Sequence, residues 1–227
     1  MHSLLVLIWL LLCTVGNAGG ADDSPAGKSA IVFVYTLNKG ACGANNRKAE
    51  DRWDQFPMYI QHALKQAVFT QQQQQPHPHA RSRASADPLS VVFVSNYKEC
   101  DGIRTQIIDK VQAFTDSLYS PGRGTGTHNG TFVPFHSVDT SEIQSPRTAQ
   151  FINSSGTNIF MSTHGDLWVA AAARFFWMEE LMRSRGYTEL LHVEADNLLY
   201  APMAPLLPSL RKHYPTGLAA TPMDANK

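Results

Sequence analysis

Short apolar runs alternate with longer stretches of helical periodicity along this chain. The strands predicted from these runs are 31–36, 91–94, 132–138, 189–194 and 217–221. The first two are almost wholly apolar, which is typical of strands buried on both faces of a parallel sheet. Pro134 demotes the third to a sheet edge, because proline cannot donate a ladder hydrogen bond.

The helices predicted from apolar residues at helical spacing are 56–69, 102–118, 167–185 and 206–212. Asp166 can cap the third of these, and Gly186 lies just beyond its end. Residues 168–178 are apolar almost all round, so this helix is expected to be deeply buried. The alternation of strands and helices predicts an α/β fold, a mostly parallel Rossmann-like sheet with helices on both faces.

Length and composition favour one folded domain behind a short leader. The chain has 227 residues, of which 43% are hydrophobic, and residues 29–227 are predicted to form that domain. Within it, 71–88 is rich in Gln, Pro and His and is predicted to be a disordered insertion. Lys plus Arg and Asp plus Glu are equal at 19 each. Without a basic surface to attract phosphates, nucleic-acid binding is disfavoured.

Residues 1–20 have the pattern of a signal peptide. An uninterrupted apolar run from Leu4 to Cys13 precedes small residues, and Gly16 and Ala18 are spaced for cleavage. A short uncleaved signal anchor is the alternative, and only then would the chain be attached to a membrane. Either reading places the protein in the lumen of the secretory pathway or outside the cell.

Glycosylation patterns and cysteine usage agree with that route. Asn129 and Asn153 both begin Asn-x-Ser/Thr triplets. If Cys13 leaves with the leader, Cys42 and Cys100 remain, an even number in an oxidising compartment. Both follow apolar strands, so a disulfide between them is one interpretation and two separate thiols are the other.

The candidate chemistry lies where the strand 189–194 ends. Glu194 and Asp196 are two residues apart, and on a strand such residues point to the same side. Two carboxylates at a sheet edge suit Mn²⁺ or Mg²⁺ shared with a diphosphate, although a solvated strand end is the plainer alternative. Arg174, in an apolar helix, is expected to pair with Glu194 or to bind a phosphate. His192 is interpreted as a satisfied core histidine.

The segment 168–200 resembles the GT-A-type nucleotide-diphospho-sugar glycosyltransferases. The resemblance lies in Arg174-Phe175-Phe176, Glu179 and the run 192–200, with Glu-x-Asp in place of Asp-x-Asp. It implies that Asp196 is the direct metal ligand and that Glu194 supports the metal, the ribose or the sugar. Further substrate-binding candidates are Asn197 beside the motif, Thr36 and Asn38 after the first strand, and Asn96 after the second.

The resulting prediction is a metal-dependent glycosyltransferase of the secretory pathway. Its partners would be a nucleotide-diphosphate sugar and an unknown glycan, protein or lipid acceptor. Members of this family usually continue into an acceptor-binding half, whereas this sequence stops at Lys227. It is therefore expected to be a donor-binding portion truncated at the C-terminus, with no general base assigned. The alternatives are a secreted non-catalytic binding remnant of the same fold and another metal-assisted phosphoryl or nucleotidyl enzyme.

Overall fold

A single mixed sheet organises the chain. The computed structural model describes residues 11–14, 28–36, 56–72, 89–119, 132–155, 166–195, 197–214 and 217–219. The strands in these residues are β1 (Leu11–Thr14), β2 (Lys28–Tyr35), β3 (Ser90–Ser95), β4 (Phe135–Asp139), β5 (Tyr187–His192) and β6 (Gly217–Ala219). Their order across the sheet is β4-β3-β2-β5-β1-β6.

Four neighbouring strands, β4, β3, β2 and β5, run parallel and form the centre of the fold. Val32 and Val92 face each other across β2 and β3, and both are fully buried. Burial on both faces requires side chains that are apolar without alternation, which is why these strands are continuous apolar runs. The α/β, Rossmann-like architecture expected from the sequence is present.

Helices cover both faces of this sheet. They are α1 (Phe56–Gln72), α2 (Asp101–Ile103), a π-helical turn (Arg104–Ile108), α3 (Asp109–Tyr119), α4 (Thr140–Ile143), α5 (Pro146–Ser155), α6 (Asp166–Arg185), a 3-10 turn (Ala204–Leu206) and α7 (Leu207–His213). Apolar residues of α1 and of the α2–α3 segment pack on Ile31, Phe33 and Phe93. On the opposite face, α6 packs on Val32 and Leu190.

The predicted elements correspond to observed ones, with one shift that matters. The strand expected at 189–194 is Tyr187–His192, so it starts and ends two residues earlier. The helices α4 and α5 were not predicted, because the polar segment 140–155 contains too few apolar residues to show helical periodicity. The strand β4 lies at the sheet edge, as Pro134 indicated.

Helix α6 has exposed as well as buried positions among its described side chains, so the expectation that it is deeply buried is wrong. Its buried face includes Trp177, Met178 and Leu181, whereas the side chain of Phe175 is 47% exposed. A helix packed on one face of a sheet buries one stripe, whatever the composition of the other side. The helix ends where expected, since Gly186 has a φ of 70° and its N–H donates to the Met182 carbonyl.

The predicted insertion 71–88 begins too early. Gln71 and Gln72 form the end of α1, and both are buried. The Gln71 side chain accepts a hydrogen bond from the Met203 N–H (2.9 Å) and donates to the Ala201 carbonyl (3.3 Å). These two glutamines therefore belong to the packed fold, and the loop after β5 is held against α1. Residues 73–88 lie outside the described part of the chain.

Four residues of the predicted leader form a strand. β1 pairs antiparallel with β5 on one side and with β6 on the other. This pairing was not predicted, because an apolar run followed by small residues is typical of a leader outside the folded domain. Cleavage after Ala18 would remove the strand, and cleavage stays a prediction. In the part of the chain that is described, no helix is long and apolar enough to cross a bilayer.

Candidate functional site

The strand order reverses between β2 and β5, and at such a switch point open α/β sheets form a ligand crevice at the carboxyl ends of the strands. From β2 the chain moves outward through β3 to β4, and then returns to place β5 on the other side of β2. Helices that follow strands on the two sides of such a point diverge, which opens a cleft at the carboxyl edge. Ligands of open α/β sheets bind there. Thr36 directly follows β2, and the carboxylate motif directly follows β5.

The motif after β5 forms a turn. The backbone N–H of Asn197 donates to the carbonyl of Glu194 at 2.9 Å, which closes a turn over residues 194–197. Glu194 lies beyond the end of β5, so strand alternation alone does not place its side chain, and the expectation that Glu194 and Asp196 point to the same side stays a prediction. Asp196 itself lies outside the described residues, so its role as a metal ligand stays a prediction.

Glu194 forms an ion pair with Arg174. On β5, Leu190 packs against α6, and Glu194, just beyond the end of the strand, contacts Arg174 of the same helix. The guanidinium Nη1 of Arg174 donates to Glu194 Oε1, with side-chain exposures of 20% for Arg174 and 27% for Glu194. Of the two partners expected for Arg174, the structure contains the carboxylate. A partly exposed pair of this kind remains open to exchange with a bound anion.

His192 is buried, and only one of its ring nitrogens has a hydrogen-bond partner among the described residues. Nδ1 lies 3.2 Å from the Val32 carbonyl, so Nδ1 carries the proton and donates it. Nε2 is buried without a hydrogen bond and lies 3.7 Å from Glu194 Oε1. Burial, followed by the charge of Arg174, lowers the pKa of His192 to about 4. His192 is thus a core histidine, as expected, and it is neutral. Only its Nδ1 has a hydrogen-bond partner among the described residues, so the expectation that both nitrogens are satisfied is wrong.

The other substrate-binding candidates fall into two groups. Thr36 is half-buried at the end of β2, beside the crevice. Asn96 is buried at the end of β3, where its carbonyl accepts hydrogen bonds from the N–H groups of Glu99 and Cys100. That carbonyl helps to shape the turn before α2. Asn38 lies outside the described residues, so its contact with a nucleotide stays a prediction.

Sequence reasoning missed Asp139, which organises the same edge of the sheet. This fully buried carboxylate ends β4, accepts from Ser141 N–H at 2.9 Å and accepts from Lys98 N–H at 2.7 Å. It caps α4 and joins the loops after β3 and β4. The sequence signal was present, because Asp139 followed by Glu142 three residues later has the spacing of a capping box.

Of the cysteines and glycosylation acceptors that suggested the secretory route, two residues lie in the described part of the chain. Cys100 is buried and disulfide-bonded. Its predicted partner, Cys42, lies outside the described residues, so the pairing stays a prediction. Asn153 is exposed near the end of α5, where a glycan would meet solvent. Asn129 also lies outside the described part.

The donor atoms at the crevice fit a divalent cation in kind. Glu194 offers carboxylate oxygens of the type that Mg²⁺ and Mn²⁺ accept, and phosphates and water usually supply the remaining ligands. Among the described residues, however, no group of three His, Cys, Asp or Glu side chains is arranged to hold a metal. A complete site therefore requires Asp196 or oxygens from a ligand.

The chain was compared with models of known protein families, with curated proteins and with solved structures, and none of the three comparisons gives a match.

Proposed function

We propose that this chain is a metal-dependent glycosyltransferase of the secretory pathway, binding a nucleotide-diphosphate sugar in the crevice between β2 and β5. The sugar would pass to a glycan, protein or lipid acceptor. The proposal rests on the coincidence of three features at one point of the sheet. These are the reversal of strand order, the Glu194 carboxylate just after β5 and the Arg174 cation on the adjoining helix.

The single observation that carries the proposal is the Arg174–Glu194 pair at the switch point. Nucleotide phosphates bind at this position in open α/β sheets. A guanidinium can donate two parallel hydrogen bonds to a phosphate, so Arg174 is suited to exchange its carboxylate partner for a diphosphate. Glu194 would then be released at the moment when the diphosphate arrives.

The proposed chemistry is electrostatic. Glu194 and Asp196 would hold Mn²⁺ or Mg²⁺, which when bound stabilises negative charge on a departing diphosphate. Arg174 would stabilise the same charge by direct hydrogen bonds. Thr36, which directly follows β2, would contact the base or the ribose. The disulfide at Cys100 supports a lumenal or extracellular location, since such bonds persist in oxidising compartments.

A turnover assay tests this proposal. Hydrolysis and transfer are measured with a panel of nucleotide sugars, with and without Mn²⁺, for the natural chain and for Asp196→Ala. We expect metal-dependent turnover that the substitution abolishes. Glu180→Gln is the control, because Glu180 is a half-buried carboxylate on the same helix as Arg174.

The outcomes separate the candidate functions. Metal-dependent binding without turnover would assign the chain to the non-catalytic binding class. If the chain binds no sugar nucleotide in the presence of Mn²⁺, both readings are wrong.

A further inference from the structure

The two ring nitrogens of His192 have the environments that are typical of a metal-binding histidine. Its Nδ1 lies 3.2 Å from the Val32 carbonyl on the neighbouring strand. Metal-binding histidines characteristically donate one ring N–H to a backbone carbonyl, which fixes the ring and leaves the other nitrogen unprotonated. Because β2 and β5 are paired at Val32 and His192, this orientation is built into the sheet.

The unprotonated nitrogen faces the carboxylate of the candidate site. Nε2 of His192 is buried, has no hydrogen-bond partner among the described residues and lies 3.7 Å from Glu194 Oε1. A buried nitrogen acceptor without a partner is costly, so its presence calls for an explanation. Two bonds of about 2.1 Å from one cation reach donor atoms up to about 4.2 Å apart. The observed separation therefore allows one ion to contact both atoms.

We propose that His192 Nε2 and Glu194 are joint ligands of the divalent cation, and that the site takes Mn²⁺ or Zn²⁺ in preference to Mg²⁺ or Ca²⁺. This inference rests on the proposed function, in which a diphosphate draws Arg174 away from Glu194. Mg²⁺ and Ca²⁺ are hard cations that prefer oxygen donors, whereas imidazole nitrogen binds transition metals. One buried imidazole among carboxylates thus shifts the metal preference.

Electron paramagnetic resonance tests the inference without measuring activity. Mn²⁺ is added to the full chain in the presence of uridine diphosphate, and nitrogen couplings to the ion are recorded by electron–nuclear double resonance. Two samples of the natural chain are compared, one with natural histidine and one with ¹⁵N-labelled histidine. We expect a histidine nitrogen coupling that changes on labelling. This comparison needs no substitution and is therefore independent of any folding defect in a variant.

Two variants assign the coupling to a residue. His192→Gln is expected to remove it and to reduce the preference for Mn²⁺ over Mg²⁺ about tenfold in competition binding. His213→Gln is the matched control, because Nδ1 of His213 also lies near a backbone carbonyl, that of Ser209 at 2.8 Å, but His213 is exposed. The control is expected to keep both the coupling and the preference.

The possible failures are distinguishable. If Mn²⁺ binds with no histidine coupling, or if the coupling survives in His192→Gln, the inference about His192 is overturned and the proposed function stands. If Mn²⁺ does not bind at all, with or without uridine diphosphate, both are overturned.

Discussion

Two carboxylates lie near the opposite ends of the strand β5, and their exposure and hydrogen bonding differ strongly. Glu189, near the start, is 8% exposed and accepts hydrogen bonds from Arg211 Nε (2.6 Å), Arg211 Nη2 (2.7 Å) and the Ser29 hydroxyl (2.6 Å). Glu194, beyond the end, is more exposed and is contacted by one nitrogen of Arg174. Beside it, the second nitrogen of His192 has no hydrogen bond among the described residues.

The difference separates a structural ion pair from a candidate site. At Glu189, burial alone would raise the pKa, but the hydrogen bonds from Arg211 and Ser29 lower it below its usual value. Both oxygens of Glu189 accept hydrogen bonds, so this carboxylate of β5 connects Arg211 of α7 with Ser29 of β2. At Glu194, the hydrogen bond from Arg174 reaches one of the two carboxylate oxygens within the described part of the chain. The unused capacity lies at the edge of the sheet where ligands bind, and a bound ion or phosphate could complete it.

The largest expected change in the free energy of unfolding comes from His192, when the pH is lowered. Its pKa is about 4 in the folded chain and 6.5 in the unfolded one. Between these values only the unfolded state binds the proton, so the free energy of unfolding falls as the pH drops from 6.5 to 4. The fall attributable to His192 is about 3 kcal/mol, since one pKa unit is about 1.4 kcal/mol. Urea unfolding of the natural chain and of His192→Gln across this range measures it, and parallel curves would contradict it.

The second effect concerns Glu189. Arg211→Ala leaves a buried carboxylate with Ser29 as its remaining hydrogen-bond donor. We expect the free energy of unfolding to fall by about 2 kcal/mol, less than for a fully buried pair because the Arg211 side chain is 41% exposed. The natural chain should also lose this stabilisation as the pH falls below about 4.5, where the unfolded carboxyl takes up its proton. Lys212→Ala, an exposed position on the same helix, should change little, and equal losses in both variants would refute the assignment.

A smaller effect is expected where α1 holds the loop after β5. Gln71→Met keeps the volume of the side chain but leaves the Met203 N–H without this acceptor. We expect a loss of about 1 to 2 kcal/mol in the free energy of unfolding. Thermal unfolding measures it, with Gln112→Met as the control, because Gln112 is an exposed glutamine on α3. A stability equal to that of the natural chain would mean that these buried glutamine contacts do not stabilise the fold.

The smallest change in stability is expected at Glu194. Glu194→Gln should alter the free energy of unfolding by less than about 1 kcal/mol, since the Arg174–Glu194 pair is partly exposed. The same substitution should weaken Mn²⁺ binding by at least about tenfold. Titration calorimetry and urea unfolding of one preparation measure both quantities. A large loss of stability with unchanged metal binding would show that Glu194, like Glu189, has a structural role. The proposed difference between the two carboxylates would then be wrong.

Some features of the fold and of the candidate site could be predicted from local sequence patterns, and others could not. Apolar runs without alternation predicted the parallel strands, and an arginine in an apolar helix predicted an anionic partner. The position of Glu194 beyond the strand was missed because the boundary of β5 depends on where its pairing with β2 stops. The buried roles of Gln71 and Asp139 were missed because composition labels such residues as loop formers, whereas burial is decided by what packs over them.

The sequence by itself determined the local choices, namely which segments are strands and helices, where α6 ends at Gly186 and that the fold is α/β. These follow from side-chain periodicity and backbone preference, which act over a few residues. Only the tertiary structure decided the strand order, the crevice between β2 and β5 and the contrast between Glu189 and Glu194. Each of these depends on contacts between segments far apart in the chain, and spacing along a sequence carries no record of such contacts.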